Sequence, residues 1–223
     1  MGSEGGRNIV DWRNWLVNGF YLSPIITLQE YLQHCIVLAA SLALAAGDVA
    51  VLAISLRFIS LIRFGVLSVN MAASPKIARA MARADHQERD RQLRAAALLK
   101  APPAAIAAAV VILLAGPILS LFGPEYMQGG RALAWFAAIP LASALLGPNH
   151  LLLNISGARG WVFGISLAAV AALFAAVPAA GGVEPAAMIA ALVYIAWELA
   201  LFVVVRTKLG IDATVLAIFG RRR

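Results

Sequence analysis

The residues with chemical capacity are few, and most stand in apolar surroundings. Glu30, Gln33 and His34 share one apolar run, Arg57 and Arg63 the next, and Glu198 the last. A carboxylate, an imidazole and two guanidiniums placed this way suit the binding of a charged group, or the pairing of one helix with another. They do not make a catalytic constellation. The three histidines, His34, His86 and His150, show no His-x-x-x-His spacing, and the single Cys35 excludes both a Cys-x-x-Cys pair and an intramolecular disulfide. No Gly-rich phosphate loop ending in Lys-Ser or Lys-Thr occurs, and no G-x-S-x-G nucleophile turn. The pattern argues against an enzyme and offers no metal site and no cofactor site.

These side chains must be held by helices in lipid. Of 223 residues, 62% are hydrophobic and only 13% charged, with a mean hydropathy of +0.85. Soluble domains have about 45–50% apolar and about 25% charged residues. A helix needs about 20 apolar residues to cross roughly 30 Å of hydrocarbon. Runs of that kind cover Leu22–Ala46, Val49–Met71, Ala101–Phe122, Ala132–Leu153, Trp161–Ala180 and Pro185–Val205. None alternates as the strands of a membrane barrel do. The expected fold is an all-α polytopic membrane protein, with six transmembrane helices in one bundle. The expected segments are a cytoplasmic tail and interfacial stretch over 1–21, the bundle over 22–205 with a basic cytoplasmic loop at 72–100, and a basic tail over 206–223. The fourth run is interrupted at Pro140 and at Gly147-Pro148, which frees carbonyls and marks both prolines as hinge positions.

Basic residues set the expected orientation. The N-tail, the 72–100 segment including Lys100, the turn at Arg159 and the C-tail carry fifteen of the 18 lysines and arginines. The opposite side has Arg131 alone, so both termini are expected in the cytoplasm. The net charge of +7 is explained by these loops, without nucleic acid as a partner. At about 1.5 Å per residue, Arg57 comes level with His34 and Arg63 level with Glu30 on neighbouring helices. Arg63 is then expected either to pair with Glu30 or to snorkel toward the cytoplasm. Glu198 is expected to pair with an interfacial Lys or Arg. A charge at the bilayer centre costs about 2.5 kcal/mol or more, so Arg57 is expected to face a cavity in the bundle interior.

The order of several short motifs carries a resemblance. Asp11-Trp12-Arg13-Asn14-Trp15 is followed by Ser55-Leu56-Arg57-Phe58-Ile59 and Ala73-Ser74-Pro75-Lys76-Ile77-Ala78. Then come Leu121-Phe122-Gly123-Pro124-Glu125-Tyr126, Leu151-Leu152-Leu153-Asn154-Ile155-Ser156-Gly157 and Lys208-Leu209-Gly210-Ile211. In this order the chain resembles the C-terminal half of polysaccharide and lipid-linked oligosaccharide flippases, exporters related to multidrug and toxin extrusion proteins, over about residues 11–215. The resemblance implies translocation of a polyprenyl-diphosphate oligosaccharide across a bacterial inner membrane, for lipopolysaccharide, capsule or exopolysaccharide. It implies substrate contacts from Arg57, Arg63, Glu30 and His34. Where such transporters often carry an acidic residue in the seventh helix, this chain has a position near Ile36. Twelve or more helices are usual in the family, so the partner expected here is a matching N-terminal half or a second copy, with membrane lipid around both. Two other readings remain open: a fragment of a multidrug or cation exporter, and a non-transporting scaffold that binds partners through its basic loop.

Overall fold

Long apolar runs become helices because, in lipid, a backbone can satisfy its polar groups only within itself. The computed structural model describes residue 12 and residues 31–215. In chain order the helices are α1, described over Tyr31–Ser41, α2 (Ala46–Ala82), α3 (His86–Ser120), α4 (Gly130–Leu146), α5 (Asn149–Ile155), α6 (Arg159–Ala176) and α7 (Val183–Val204). Five segments are long and apolar enough to cross a membrane: Ala46–Ala82, His86–Ser120, Pro124–Leu146, Arg159–Ala180 and Val183–Leu209. The protein is an all-α polytopic membrane protein. The start of the expected first span, Glu30 and the outer parts of both tails lie outside the described residues.

The expected loop at 72–100 is instead a helical hairpin. Helix α2 runs through Pro75 to Ala82, and α3 begins at His86, so only residues 83–85 connect them. The segment is rich in Ala, Arg, Gln and Glu, which are strong helix formers. Beneath its charges it also carries a buried stripe: Ile77 and Ala80 on α2, with Leu93, Ala96 and Ala97 on α3. The Asp85 side chain caps α3 by accepting from the Glu88 amide at 2.9 Å. At 1.5 Å per residue, the 37 residues of α2 extend about 55 Å, well beyond a roughly 30 Å hydrocarbon core.

Helix α4 sits at the centre and packs against α2, α3 and α7. Its Leu133, Phe136 and Ile139 are fully buried, as are Ala186, Ala187, Ala190 and Ala191 of α7. Small residues on α7 let the two backbones approach, which is how helices gain contact in lipid. Helix α6 packs on α7, and there the Trp197 indole donates to the Ser166 hydroxyl at 3.0 Å. Helix α3 is kinked at Leu114 (φ −109°, ψ 17°). Pro117, three residues on, cannot donate to the Leu113 carbonyl and crowds that turn.

The expected fourth span is two helices. Gly147 has φ +90°, a conformation costly for any residue with a Cβ, and a Cβ there would also strike the Ala213 carbonyl. Pro148 follows with φ −84° and ψ 57° as the first residue before α5. Beyond α7 the chain folds back over this break, and the Val215 amide donates to the Leu145 carbonyl at 3.0 Å. Pro148 therefore stands at the break itself, whereas Pro140 remains buried within α4.

Candidate functional site

Helices α1 and α2 are joined by residues 42–45, a connection too short to let them separate. Four-residue spacing places Gln33 and Val37, and His34 and Leu38, on adjoining lines of α1, and likewise Ala53 and Arg57, and Leu56 and Ser60, on α2. All eight line a groove of about 550 Å³. Arg57 is exposed on this groove, about 17 Å along α2 from Ala46 and so near the middle of a ~30 Å core. The expectation that it points into the chain's own interior is corrected: it faces outward. The interior around α4 is closed by large apolar side chains, and α2 turns Leu52, Leu56 and Ile59 toward it.

The polar groups of the groove are those of Gln33, His34, Arg57 and Ser60. The Ser60 hydroxyl lies 3.2 Å from Gln33 Oε1 and 2.9 Å from the Leu56 carbonyl, and among the described residues Gln33 Nε2 is buried with no hydrogen-bond partner. His34 is exposed with its ring 5.3 Å from that of Tyr31. Among the described residues Arg57 has no hydrogen-bond or ion-pair partner, and no carboxylate lines the groove. A guanidinium beside an unsatisfied amide and an imidazole can bind an anion, with phosphate oxygens matching the fork geometry of arginine.

Arg63 belongs to a different place. Its guanidinium lies 5.8 Å from the centre of the Tyr194 ring on α7, a cation–π contact. It borders a small cavity of about 50 Å³ with Asn70, Ser143, His150 and Glu198. This replaces the expected snorkelling position, while the alternative pairing with Glu30 falls on a residue outside the description. Glu198 is 1% exposed. It borders the same cavity as Arg63 and Ser143. The position expected for Glu198 at the interface is thus corrected to one inside the bundle.

Lys100 is also corrected. It was counted with the basic loop, yet it is 2% exposed, and its ammonium donates to Asn70 Oδ1 at 3.1 Å. Sequence reasoning missed Lys100, Asn70, Ser143 and His150 as one cluster. A signal existed for Asn70, which stands two helical turns after Arg63 and therefore on the same face. For Lys100 the signal was its setting, between Ala-Ala-Ala-Leu-Leu and Ala-Pro-Pro, where a solvated lysine has no reason to stand. Among the described residues no group of three His, Cys, Asp or Glu side chains could hold a metal ion.

The MatE family model matches residues 26–155, from before the described part of α1 to the end of α5. No curated protein and no solved structure matches the chain. The match covers more than half of the 223 residues and takes in Arg57, Arg63 and the α4–α5 break, and the chain belongs to the MatE family of membrane exporters and flippases, which are transporters and not enzymes.

Proposed function

We propose that the protein is one bundle of a flippase for a lipid-linked oligosaccharide, with the diphosphate of a polyprenyl carrier seated at Arg57. The observation that carries this reading is the α1–α2 groove, where Arg57 has no protein partner among the described residues and stands with the donor groups of Gln33 and His34. An exposed guanidinium at mid-membrane depth needs an anion or water. A lipid-linked diphosphate supplies the anion at that depth and a prenyl tail for the surrounding apolar faces. Gln33 Nε2 and His34 then add hydrogen bonds to the same head group. Membership of the family is equally compatible with a multidrug exporter, but a cationic substrate would meet Arg57 with like charge.

The rest of the reading follows from the same physics. The groove opens on a face that a second bundle must cover, either a matching N-terminal half or a second copy. The break at Pro148 serves as the hinge on which the bundle changes shape, with Pro140 as a second bending point in α4. Such irregular helices at membrane depth are the parts transporters move. The bacterial inner membrane is the site of action, with both termini and the basic α2–α3 hairpin in the cytoplasm. A cysteine placed at His86 should react with an impermeant maleimide only after the cells are opened, and reaction in intact cells would overturn that orientation.

Transport itself tests the reading. Proteoliposomes holding the protein with its partner bundle should translocate a fluorescent polyprenyl-diphosphate sugar. Arg57→Ala should abolish this without loss of insertion, and Arg57→Lys should restore it in part, because an ammonium cannot bind two phosphate oxygens in parallel. Full activity of Arg57→Leu, or export of a lipophilic cation in place of the glycolipid, would sink the proposal.

A further inference from the structure

A second site lies where α2, α3, α4, α5 and α7 meet, apart from the groove and independent of what the groove binds. It is assembled from Arg63 and Asn70 on α2, Lys100 on α3, Ser143 on α4, His150 on α5 and Glu198 on α7. Glu198 and Lys100 are almost entirely buried, at 1% and 2% exposure. Four full or potential charges, Arg63, Lys100, His150 and Glu198, therefore share one corner of the bundle.

The direct contacts do not complete this cluster. The Lys100 ammonium reaches Asn70 at 3.1 Å. Yet among the described residues no cation lies within 4.0 Å of either Glu198 oxygen, and Oε2 has no hydrogen-bond partner among the protein groups. A buried carboxylate oxygen left this way would cost the full desolvation penalty. Beside it the cavity has a volume of about 50 Å³. One water needs roughly 10–15 Å³ of such space and two to four polar partners, so there is room for about three. The partners are present: Glu198 Oε2, the Asn70 amide, the Ser143 hydroxyl, the His150 ring and the Arg63 guanidinium all border the space.

We propose that this cavity is a structural water site, in which ordered water joins Glu198 to Arg63 and, through Asn70, to Lys100 and so makes one hydrated charge cluster out of five helices. Water bridging is nearly as favourable in enthalpy as direct contact, and it tolerates small shifts of the groups it joins. That tolerance bears on the fold. Ser143 and His150 stand on either side of the Gly147-Pro148 break, so the same water touches both halves of the interrupted helix. The site holds α4 and α5 to α7 and to the base of the α2–α3 hairpin while leaving the break free to bend.

Two measurements on the full chain in nanodiscs test this. In X-ray radiolytic footprinting, hydroxyl radicals formed from bound water label the side chains beside it. Trp197 and His150 should be oxidised, although Trp197 is buried, while the equally buried Phe136 stays unlabelled. A cavity in which Trp197 and Phe136 behave alike is dry, and the proposal fails. The second measurement is a double-mutant cycle on thermal stability. Lys100→Gln and Glu198→Gln should each lower the melting temperature by roughly 6 °C or more, since each leaves an uncompensated buried charge. The double variant should lose clearly less than the two losses added, and a folded double beside single variants that do not fold is the same result in stronger form. Strictly additive losses would show that the charges are not joined. A melting temperature raised by sodium chloride but not by choline chloride would put a cation where the water is assigned, and would also overturn the proposal.

Discussion

The α1–α2 groove and the cavity between α2, α4 and α7 each take an arginine from α2, and they treat it in opposite ways. Arg57 and Arg63 are six residues apart, about 240° around the helix axis, so one helix presents them to different surroundings. Arg63 is drawn against the Tyr194 ring and into a cluster with Glu198 and Lys100. Arg57 stands exposed in the groove, where among the described residues no acid lines it. The difference separates a charge whose compensation is built into the bundle from one that must find it outside. The first belongs to the packing of the bundle, and the second is the binding element proposed above.

That separation can be broken most severely from the closed side. Phe136 lies at the centre of α4 and is fully buried, so Phe136→Ala should cost about 3–5 kcal/mol and appear as a large drop in melting temperature. A smaller loss is expected for Asn70→Leu, which removes the hydrogen-bond acceptor of Lys100. Leaving that buried donor without its partner should cost about 1–3 kcal/mol, and Asn70→Asp, which supplies an acceptor, should recover part of it. Arg57→Ala should change stability by less than about 0.5 kcal/mol, as exposed substitutions do, while abolishing transport. A stability loss like that of Asn70→Leu would mean that Arg57 is a structural residue after all. The smallest effect belongs to Arg131→Ala. Its pairing with Glu184 at 3.4 Å joins two exposed side chains, and such pairs contribute about 0–1 kcal/mol.

Most of the frame was legible in the sequence because lipid leaves the chain so few choices. The apolar runs from Val49 onward became helices, and Gly147-Pro148 broke one of them as its residues required. Charge density over 72–100 is a sign of solvent, and reading it so overlooked the short stripe of Ile77, Ala80, Leu93, Ala96 and Ala97 that zips the hairpin. Lys100 followed from the same error, since a lysine at the end of a basic stretch was assigned to that stretch. The depth expected for Arg57 follows from rise along the helix, whereas the direction its side chain faces depends on where α4 packs. The partners of Glu198 come from helices 98 and 135 residues earlier in the chain, and no local pattern announces a contact at that separation.

The most direct test of the central claim is the affinity of the purified protein for a polyprenyl diphosphate, measured by native mass spectrometry with the wild type and Arg57→Ala side by side. A guanidinium binding phosphate through charge-assisted hydrogen bonds should contribute about 1.5–3 kcal/mol. The variant is then expected to bind at least about tenfold more weakly, with Arg63→Ala less affected at equal protein stability. Equal affinity in wild type and Arg57→Ala would contradict the account, since the groove would then hold no anion through the arginine that defines it.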